Sequence, residues 1–518
     1  MPLDARSPVI LHYLQNLFLI TLCAAFTPLL TSIAILSTLL SPLITSTQIQ
    51  HPLKWRTNSK SPPRTILVTG VGMSKGLSIA RSFYRAGHWV IGADFEPYYM
   101  PVSGHFSKSL RKFYRLRKPG GKSGAEEYTR DIVNIIEKEK VDLWVSCSGV
   151  ASAIEDGEAA EMVQRSTKCA VVQFGVGLTE TLHEKFSFIK YTMELGLNVP
   201  LTYKIHSCEE ALEILHPENG ELVGKQFIMK PEMVDDSVRA DMTLLPSPSR
   251  TQTNKHIQKL NPSLKRPFVL QQYIKGREYC THSIVLQGKI HAFVSCRSSD
   301  MLMHYQALPP SSALAKAMFH YTTLYIQRAA ERTPNSPVTG HFSLDFLIDE
   351  EIAQNAEGSL HPSSKEIEKL QRELFPIECN PRAHTAVVLL NDSAEEMAEA
   401  YLSLLTDNST NGNEDPIAPR PQAVNGGYYW IGHDFVTKVL LPIYYLINFQ
   451  KGITNLVREW LEFGTHVLLW KDGTYEIWDP WPAWCLYVVF LPGCFWASMW
   501  ERKWWSRCNV STGKFFGV

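Results

Sequence analysis

The chain has 518 residues, enough for roughly two to four domains around a sizeable core. Lysine plus arginine number 51, as do aspartate plus glutamate, so bulk charge leaves no footprint for nucleic acid. Ten cysteines, none in a CxxC pair or a zinc-ligand spacing, fit reduced thiols in a cytosolic compartment better than a disulfide framework.

Residues 7–53 contain no Asp, Glu, Lys or Arg, and Leu17 to Leu40 is a nearly continuous apolar run. About 20 apolar residues suffice for a membrane-crossing helix. Pro28 is expected to kink this helix or break it into a shallow hairpin. A cleaved signal peptide would show a shorter core and a small-residue cleavage site, so the run reads as an uncleaved anchor that contacts membrane lipid. Arg6 precedes the run; Lys54, Arg56, Lys60 and Arg64 follow it, which predicts a catalytic body on the cytosolic side of a single-pass or monotopic anchor. Residues 53–63, with Ser61-Pro62-Pro63, read as a linker.

Arg64 to Ala80 opens a βαβ unit. Ile66–Thr69 is a buried strand. Gly70, Gly72 and Gly76 turn into a helix with Leu77, Ala80 and Phe83 on its inner face, and a second strand, Trp89 to Ala93, ends at Asp94. The glycines and the acid also suggest a dinucleotide fingerprint, although their spacing is Gly-x-Gly-x-x-x-Gly. Residues 105–122 carry seven basic side chains and read as a solvated face, or as one that meets anionic lipid. A helix over 125–140 and a strand over 141–146 continue the alternation.

From Thr181 the pattern changes. Lys185 to Pro200 is an amphipathic helix closed by Gly196. Phe227-Ile-Met-Lys-Pro is a strand ending on Lys230. Phe268 to Ile290 contains strands around a Lys-Gly turn, with Glu278 just beyond it. Gly340 to Asp349 is a strand carrying Asp345. Phe375-Pro-Ile-Glu-Cys-Asn-Pro-Arg is a strand that places Glu378 and Asn380 on one face, since residues two apart in a strand point the same way. A carboxylate and an amide oxygen there are hard ligands suited to Mg2+. Pro381 ends the strand, and Arg382 presents a planar fork for phosphate or carboxylate.

These pieces, in this order over residues 64–405, resemble the ATP-grasp superfamily, and within it the carbamoyl-phosphate-synthetase-like carboxylate–amine ligases. The resemblance implies a Rossmann-like preATP-grasp α/β domain (64–180) followed by an ATP-grasp α+β domain (181–405). It implies that Lys185 and Lys230 contact ATP phosphates, that Gln271, Gln272 and Ile274 grip adenine, and that Glu278 holds the ribose. It further implies that Asp345, Glu378 and Asn380 bind Mg2+ (or Mn2+), with Arg382 near the transferred phosphate. Lys230 and Arg382 are then the catalytic candidates, and Arg382, His384 and Arg297 candidates for substrate contact.

Two departures stand out. No glycine follows Lys230, so backbone cradling of phosphate is reduced or Ser237 and Arg239 substitute for it. Thirty-three positions separate Asp345 from Glu378, and the charged, helix-prone residues 350–374 read as an insertion at a hairpin tip. Residues 246–266 read as a surface excursion.

The expected reaction activates a carboxylate as an acyl phosphate, or an enol as its phosphate, and an amine attacks the acyl phosphate to give an amide. The implied partners are a small-molecule acid and an amine, an amino acid among them.

Residues 406–427 read as a linker, and 428–518 as a Trp-rich membrane-associated region. There a hairpin turns at Lys471-Asp-Gly, and Trp481 to Trp500 favours a bilayer interface over a second span. The Asp479-Pro-Trp-Pro tail resembles ATP-grasp enzymes of fungal secondary-metabolite clusters. Two other readings remain open from sequence: an NAD-dependent oxidoreductase using Gly70, Gly72, Gly76 and Asp94, which lacks a suitably placed Tyr-x-x-x-Lys pair, and a degenerate ATP-binding protein.

Overall fold

The computed structural model describes all residues except 1–2, 5–6, 58–61, 120, 148, 150–151, 218–219, 221, 233–237, 239–240, 299–302, 334–337 and 407–414. Ser237 and Arg239 therefore lie outside the described residues. The N-terminal helix Val9–Ile44 runs unbroken through Pro28 and Pro42, so of the kink or break expected at Pro28 the break into a hairpin does not occur. A proline removes one rung of the helical ladder. Thr27, Thr31 and Ser32 each donate to the carbonyl one turn back, which keeps the neighbouring turns bonded.

Strands β1 (Thr65–Thr69), β2 (Trp89–Asp94), β3 (Lys112–Arg115), β4 (Leu143–Val145) and β5 (Ala170–Val172) form one parallel sheet in the order β3-β2-β1-β4-β5. The apolar run Ile66-Leu67-Val68 is buried because helices cover both faces of such a sheet. β3 lies inside the basic stretch, where no strand was expected. Lys112 pairs with Glu139 at 2.7 Å, Arg115 with Glu96 at 2.7 Å and Arg117 with Asp131 at 2.6 Å. Much of that charge is thus matched within the fold.

Two antiparallel sheets follow. β6 (Thr202–Ile205), β7 (Phe227–Pro231) and β8 (Phe268–Gln272) make a three-stranded sheet in the order β6-β8-β7. Residues 246–266 are not a loose excursion. Ser249 caps a helix, Arg250–Leu260, whose Ile257 and Leu260 join Phe227, Met229, Phe268 and Leu270 in the core of this unit. β9 (Gly276–Leu286), β10 (Lys289–Arg297), β11 (Gly340–Asp349) and β12 (Phe375–Asn380) make a four-stranded sheet in the order β10-β9-β11-β12. The insertion between β11 and β12 is helical as expected, with helices Glu350–Gly358 and Ser364–Arg372 capped by Asp349 and Ser363. The fold class is therefore the expected one: a parallel α/β unit followed by antiparallel α+β structure.

The C-terminal ninety residues are mostly helical. No hairpin forms at Lys471-Asp-Gly. Instead β13 (Tyr428–Tyr429) pairs in parallel with β14 (Lys471–Asp472), and the Asp472 carboxylate accepts from the backbone of Thr474, Tyr475 and Ile431. That local bonding competes with a tight two-strand turn. Residues assigned to a linker are docked too: Ile417 bridges to Ala292, and Pro421–Asn425 is helical. The segment 52–57 ahead of β1 is likewise a short helix.

Among the described residues two helices are long and apolar enough to cross a membrane, Val9–Ile44 and Trp481–Glu501, and they pack on each other. Asn16 accepts from the Trp505 indole at 3.1 Å, Thr31 from Trp484 at 2.9 Å, and Ser37 bonds Tyr475 at 2.7 Å. Here β15 (Trp505–Asn509) and β16 (Lys514–Gly517) form a terminal ribbon.

Asp479 anchors the region to the parallel unit. It is fully buried and bound by the Arg81 guanidinium at 2.9 Å, the Ser107 hydroxyl at 2.6 Å and the Lys108 backbone N–H at 2.7 Å.

Candidate functional site

The antiparallel register gathers the predicted residues. Asp345 on β11 lies opposite Glu378 on β12 and opposite Cys280 on β9; Ser343 lies opposite Asn380, and Leu347 opposite Glu278. Since alternate residues share a face, Glu278, Cys280, Asp345, Glu378 and Asn380 line one side of the four-stranded sheet. A bulge follows Asp345, where Phe346 pairs with Pro376 and Ile377 is left over. The insertion of two helices leaves this pairing intact.

Polar contacts tie the group together. Asn380 donates to Asp345 at 3.1 Å and accepts from Arg382 at 2.6 Å. Lys185, the first residue of helix Lys185–Glu194, reaches Glu378 at 3.6 Å. Burial, then the charges of Glu378 and Glu278, push the Asp345 carboxyl well above its usual range. A protein that places carboxylates this close in a half-buried setting stores repulsion that a cation relieves. The donor set of two carboxylates and an amide oxygen fits a hard divalent ion.

Lys230 stands on the other sheet, on β7 opposite Val269. Gln271 and Gln272 are at the end of β8. Gln271 donates to the Thr202 hydroxyl at 3.4 Å, and the Gln272 side chain accepts from the Leu201 backbone at 3.3 Å. Ile274 is half-buried in the segment that joins β8 to β9, between the two sheets. Glu278 is exposed and accepts from the Ser298 hydroxyl at 2.7 Å.

Of the two further candidates for substrate contact, Arg297 is placed otherwise, while a His384 ring nitrogen lies within 4.8 Å of the Asp345 carboxylate and the Cys280 sulfur. Arg297 is engaged by Glu357 of the inserted helix, at 2.8 Å from its Nε. His384 is buried, caps the turn that follows Arg382 by accepting from Ala386 at 3.2 Å, and is held neutral with its pKa pushed down to about 3 by burial and then by Arg382.

Sequence reading missed Lys75. It lies in the glycine-turn segment, is buried, and donates to the Ala383 carbonyl at 2.9 Å, next to Arg382. Burial and then Arg382 push its pKa down to about 7. Only its place between two glycines of an apolar unit could have hinted at this. Cys280 and His183 were missed as well; burial and then Arg382 lower the His183 pKa.

The glycine turn itself is built for packing. Gly70 has φ +76°, and a Cβ there would meet the Cys147 carbonyl at 2.6 Å; one at Gly76 would meet the Gly70 carbonyl at 2.3 Å. Asp94 accepts from the Gly72 and Phe95 backbone at 2.6 and 2.7 Å, so its carboxylate closes the turn. The adjoining cavity, between Gly72, Asp94, Lys118, Phe490 and Thr512, holds about 170 Å³. Ligand sites for drug-sized molecules run from about 300 Å³ upward, and a dinucleotide is larger still.

No protein-family model matches the sequence, and no curated protein matches it significantly. Solved structures do. The L-amino acid ligase from Bacillus licheniformis aligns over 70% of this chain and 78% of its own, with 12% identity and a TM-score of 0.45. The N5-carboxyaminoimidazole ribonucleotide synthetase from Thermus thermophilus aligns over 70% and 81%, with 14% identity and a TM-score of 0.45. The biotin carboxylase domain of the Hydrogenobacter thermophilus 2-oxoglutarate carboxylase, solved with MgADP and bicarbonate, aligns over 65% and 69%, with 12% identity and a TM-score of 0.43. At these values the weight of a functional reading rests on the residues of the site.

Proposed function

We propose that the chain is an ATP-dependent ligase that activates a carboxylate as an acyl phosphate and joins it to an amine, with release of ADP and phosphate. The observation that carries this reading is the convergence of Asp345, Glu378 and Asn380 on one sheet face, with Lys185 and Arg382 bonded to them. ATP and a carboxylate repel each other, so a site that joins them must supply positive charge.

Lys185, Lys230 and Arg382 provide it, and Arg382 is oriented by its bond to Asn380. Asp345, Glu378 and Asn380 would hold Mg2+, which would supply positive charge to offset that of the phosphates during phosphoryl transfer. The junction of β8 and β9, with Gln271, Gln272 and Ile274, sits between the two sheets and suits adenine, and Glu278 suits the ribose hydroxyls. Phosphoryl transfer to the carboxylate oxygen frees ADP. The amine nitrogen then attacks the acyl carbon, phosphate leaves, and the amine proton passes to solvent or to a nearby base. Positioning and exclusion of water supply most of the rate enhancement in such a site.

The reading includes a preATP-grasp unit over 64–180, an ATP-grasp unit over 181–405 and a membrane-associated 428–518. The acid and the amine are small molecules, an amino acid among them, in a biosynthetic step. The N-terminal helix serves as an uncleaved anchor rather than a signal sequence. Its polar residues Asn16, Thr31 and Ser37 are used in bonds to the C-terminal region, and such contacts have no role in a segment that is removed.

The test is ADP release by the purified protein against pools of amino acids and small acids, with Mg2+. Release that requires both an acid and an amine is the expected result. Absence of release with every pool, alongside tight NAD binding, would overturn the assignment.

A further inference from the structure

We propose that His304, Asp434 and His466 form a second cation site, for a borderline divalent ion of the zinc class, that clamps the C-terminal helices onto the body of the protein. The three residues come from separate segments. His304 precedes the bridge between Tyr305 and Tyr428, Asp434 ends the short helix Ile431–Asp434, and His466 lies near the end of helix Ile453–Leu469. Their ligand atoms all fall within 4.8 Å of one another.

The geometry suits a shared ion. The Asp434 carboxylate is fully buried; one oxygen lies 2.6 Å from His304 Nε2 and the other 2.6 Å from His466 Nδ1. The two imidazole rings are centred 4.8 Å apart and tilted by 43°. Two imidazoles that each place a nitrogen about 2 Å from one ion at near a right angle have centres at about this separation. Two imidazoles and a carboxylate favour zinc or another late first-row ion over magnesium, which prefers oxygen ligands alone. Trp470 packs against both rings, at 4.4 Å from His466 and 6.0 Å from His304, and forms an apolar wall of the kind that shields a metal centre.

The proton inventory is consistent with either occupancy. Without the ion, His304 Nε2 and His466 Nδ1 donate their protons to Asp434. With it, neutral rings carry those protons on their other nitrogens, the freed lone pairs face the ion, and no net proton is lost.

This site is separate from the one proposed for the ligase reaction. Tyr305, the next residue after His304, packs its ring 5.9 Å from His384, and neighbouring residues of an extended segment point to opposite sides. An ion at His304 would hold the helices that carry Asp434 and His466 against the segment whose Tyr305 packs on His384.

The experiment uses the full chain in detergent. After exhaustive dialysis against metal-free buffer, elemental analysis is expected to find about one zinc-class ion per chain. His304→Gln and His466→Gln should each abolish it, and Cys280→Ser should not. Titration of the metal-stripped wild type with cobalt(II) should give the visible bands of a low-coordinate nitrogen–oxygen site, a measurement that needs no variant to fold. Absence of both the ion and the cobalt bands in the wild type would overturn the proposal. So would retention of the ion in both histidine variants, or its loss in Cys280→Ser alone, which would assign it to Cys280, Asp345 and His384.

Discussion

Glu378 is the residue on which the ligase reading turns. Glu378→Gln keeps its shape and removes one charge from the cation site and from the contact with Lys185. Loss of one such electrostatic contact costs on the order of 3 kcal/mol, or about a hundredfold in rate. The expected outcome is that loss in ADP release, with the melting temperature little changed. Lys230→Ala should weaken ATP binding as well as turnover, because its charge acts in the ground state; calorimetric titration with a non-hydrolysed ATP analogue reads this directly. Asp94→Ala should cost stability and leave ATP handling intact, since Asp94 closes the glycine turn. An inactive but folded Asp94 variant beside active Glu378 and Lys230 variants would reverse the assignment. Asp479 makes a separate case. Its removal leaves the Arg81 guanidinium buried and without that carboxylate. Asp479→Ala should destabilise by about 3–5 kcal/mol in denaturant unfolding, whereas Asp479→Asn retains hydrogen bonds and should cost less.

At the scale of elements, the informative contact is between the N-terminal helix and helix Trp481–Glu501. Apolar packing alone would let two such helices slide past each other. The bond from Trp484 to Thr31, with the bonds from Trp505 to Asn16 and between Ser37 and Tyr475 on the segments flanking that helix, fixes the register of the C-terminal region on the N-terminal helix at three heights. Asn16→Ala should leave the buried Trp505 N–H without its acceptor and lower stability by about 1–3 kcal/mol, measured by thermal melting in detergent.

The whole molecule carries a set of buried neutral histidines near the junction of its parallel and antiparallel units. His341 and His384 have pKa values pushed down to about 3 and His282 is pushed well below its ordinary value, in each case chiefly by burial. An unfolded chain protonates its histidines near pH 6.5, so the unfolded state binds protons that the native state refuses. Stability is therefore full above about pH 6.5 and falls as the pH drops toward 4. His341→Gln should flatten the slope by up to about 1.4 kcal/mol per pH unit, a change visible in melting curves taken across that window.

The proposed membrane attachment also belongs to the scale of the whole molecule. Phe449, Leu468, Leu469 and Trp500 are exposed at 69–96%, on the same C-terminal region that receives the N-terminal helix. Deletion of residues 1–52 should leave the protein bound to vesicles through these side chains. Flotation on a density gradient decides it, and release as a soluble monomer would mean that the N-terminal helix is the sole attachment.

The sequence alone determined whatever depends on local periodicity and on spacing within one element. The uncharged run at the N-terminus, the βαβ opening at Ile66, and Glu378 two residues before Asn380 on a strand were all legible, because strand alternation and helix patterning are encoded over a few residues. The helical insertion at 350–374 was legible for the same reason. Tertiary structure decided what depends on long-range pairing. That Asp345 sits opposite Glu378 across two inserted helices is a matter of register between distant strands. That Lys75 is buried against Ala383, that Arg297 is engaged by Glu357, that the His384 backbone bonds His282, and that Asp479 grips Arg81 follows from contacts across about 60 to 400 positions, which no local pattern specifies. The misplaced hairpin at Lys471 has the same origin. A Lys-Asp-Gly turn fits a hairpin by local chemistry, but Tyr428 and Tyr429 offered β14 a parallel partner from forty-three positions away, and the side chain of Asp472 bonded the backbone that a tight turn would have used.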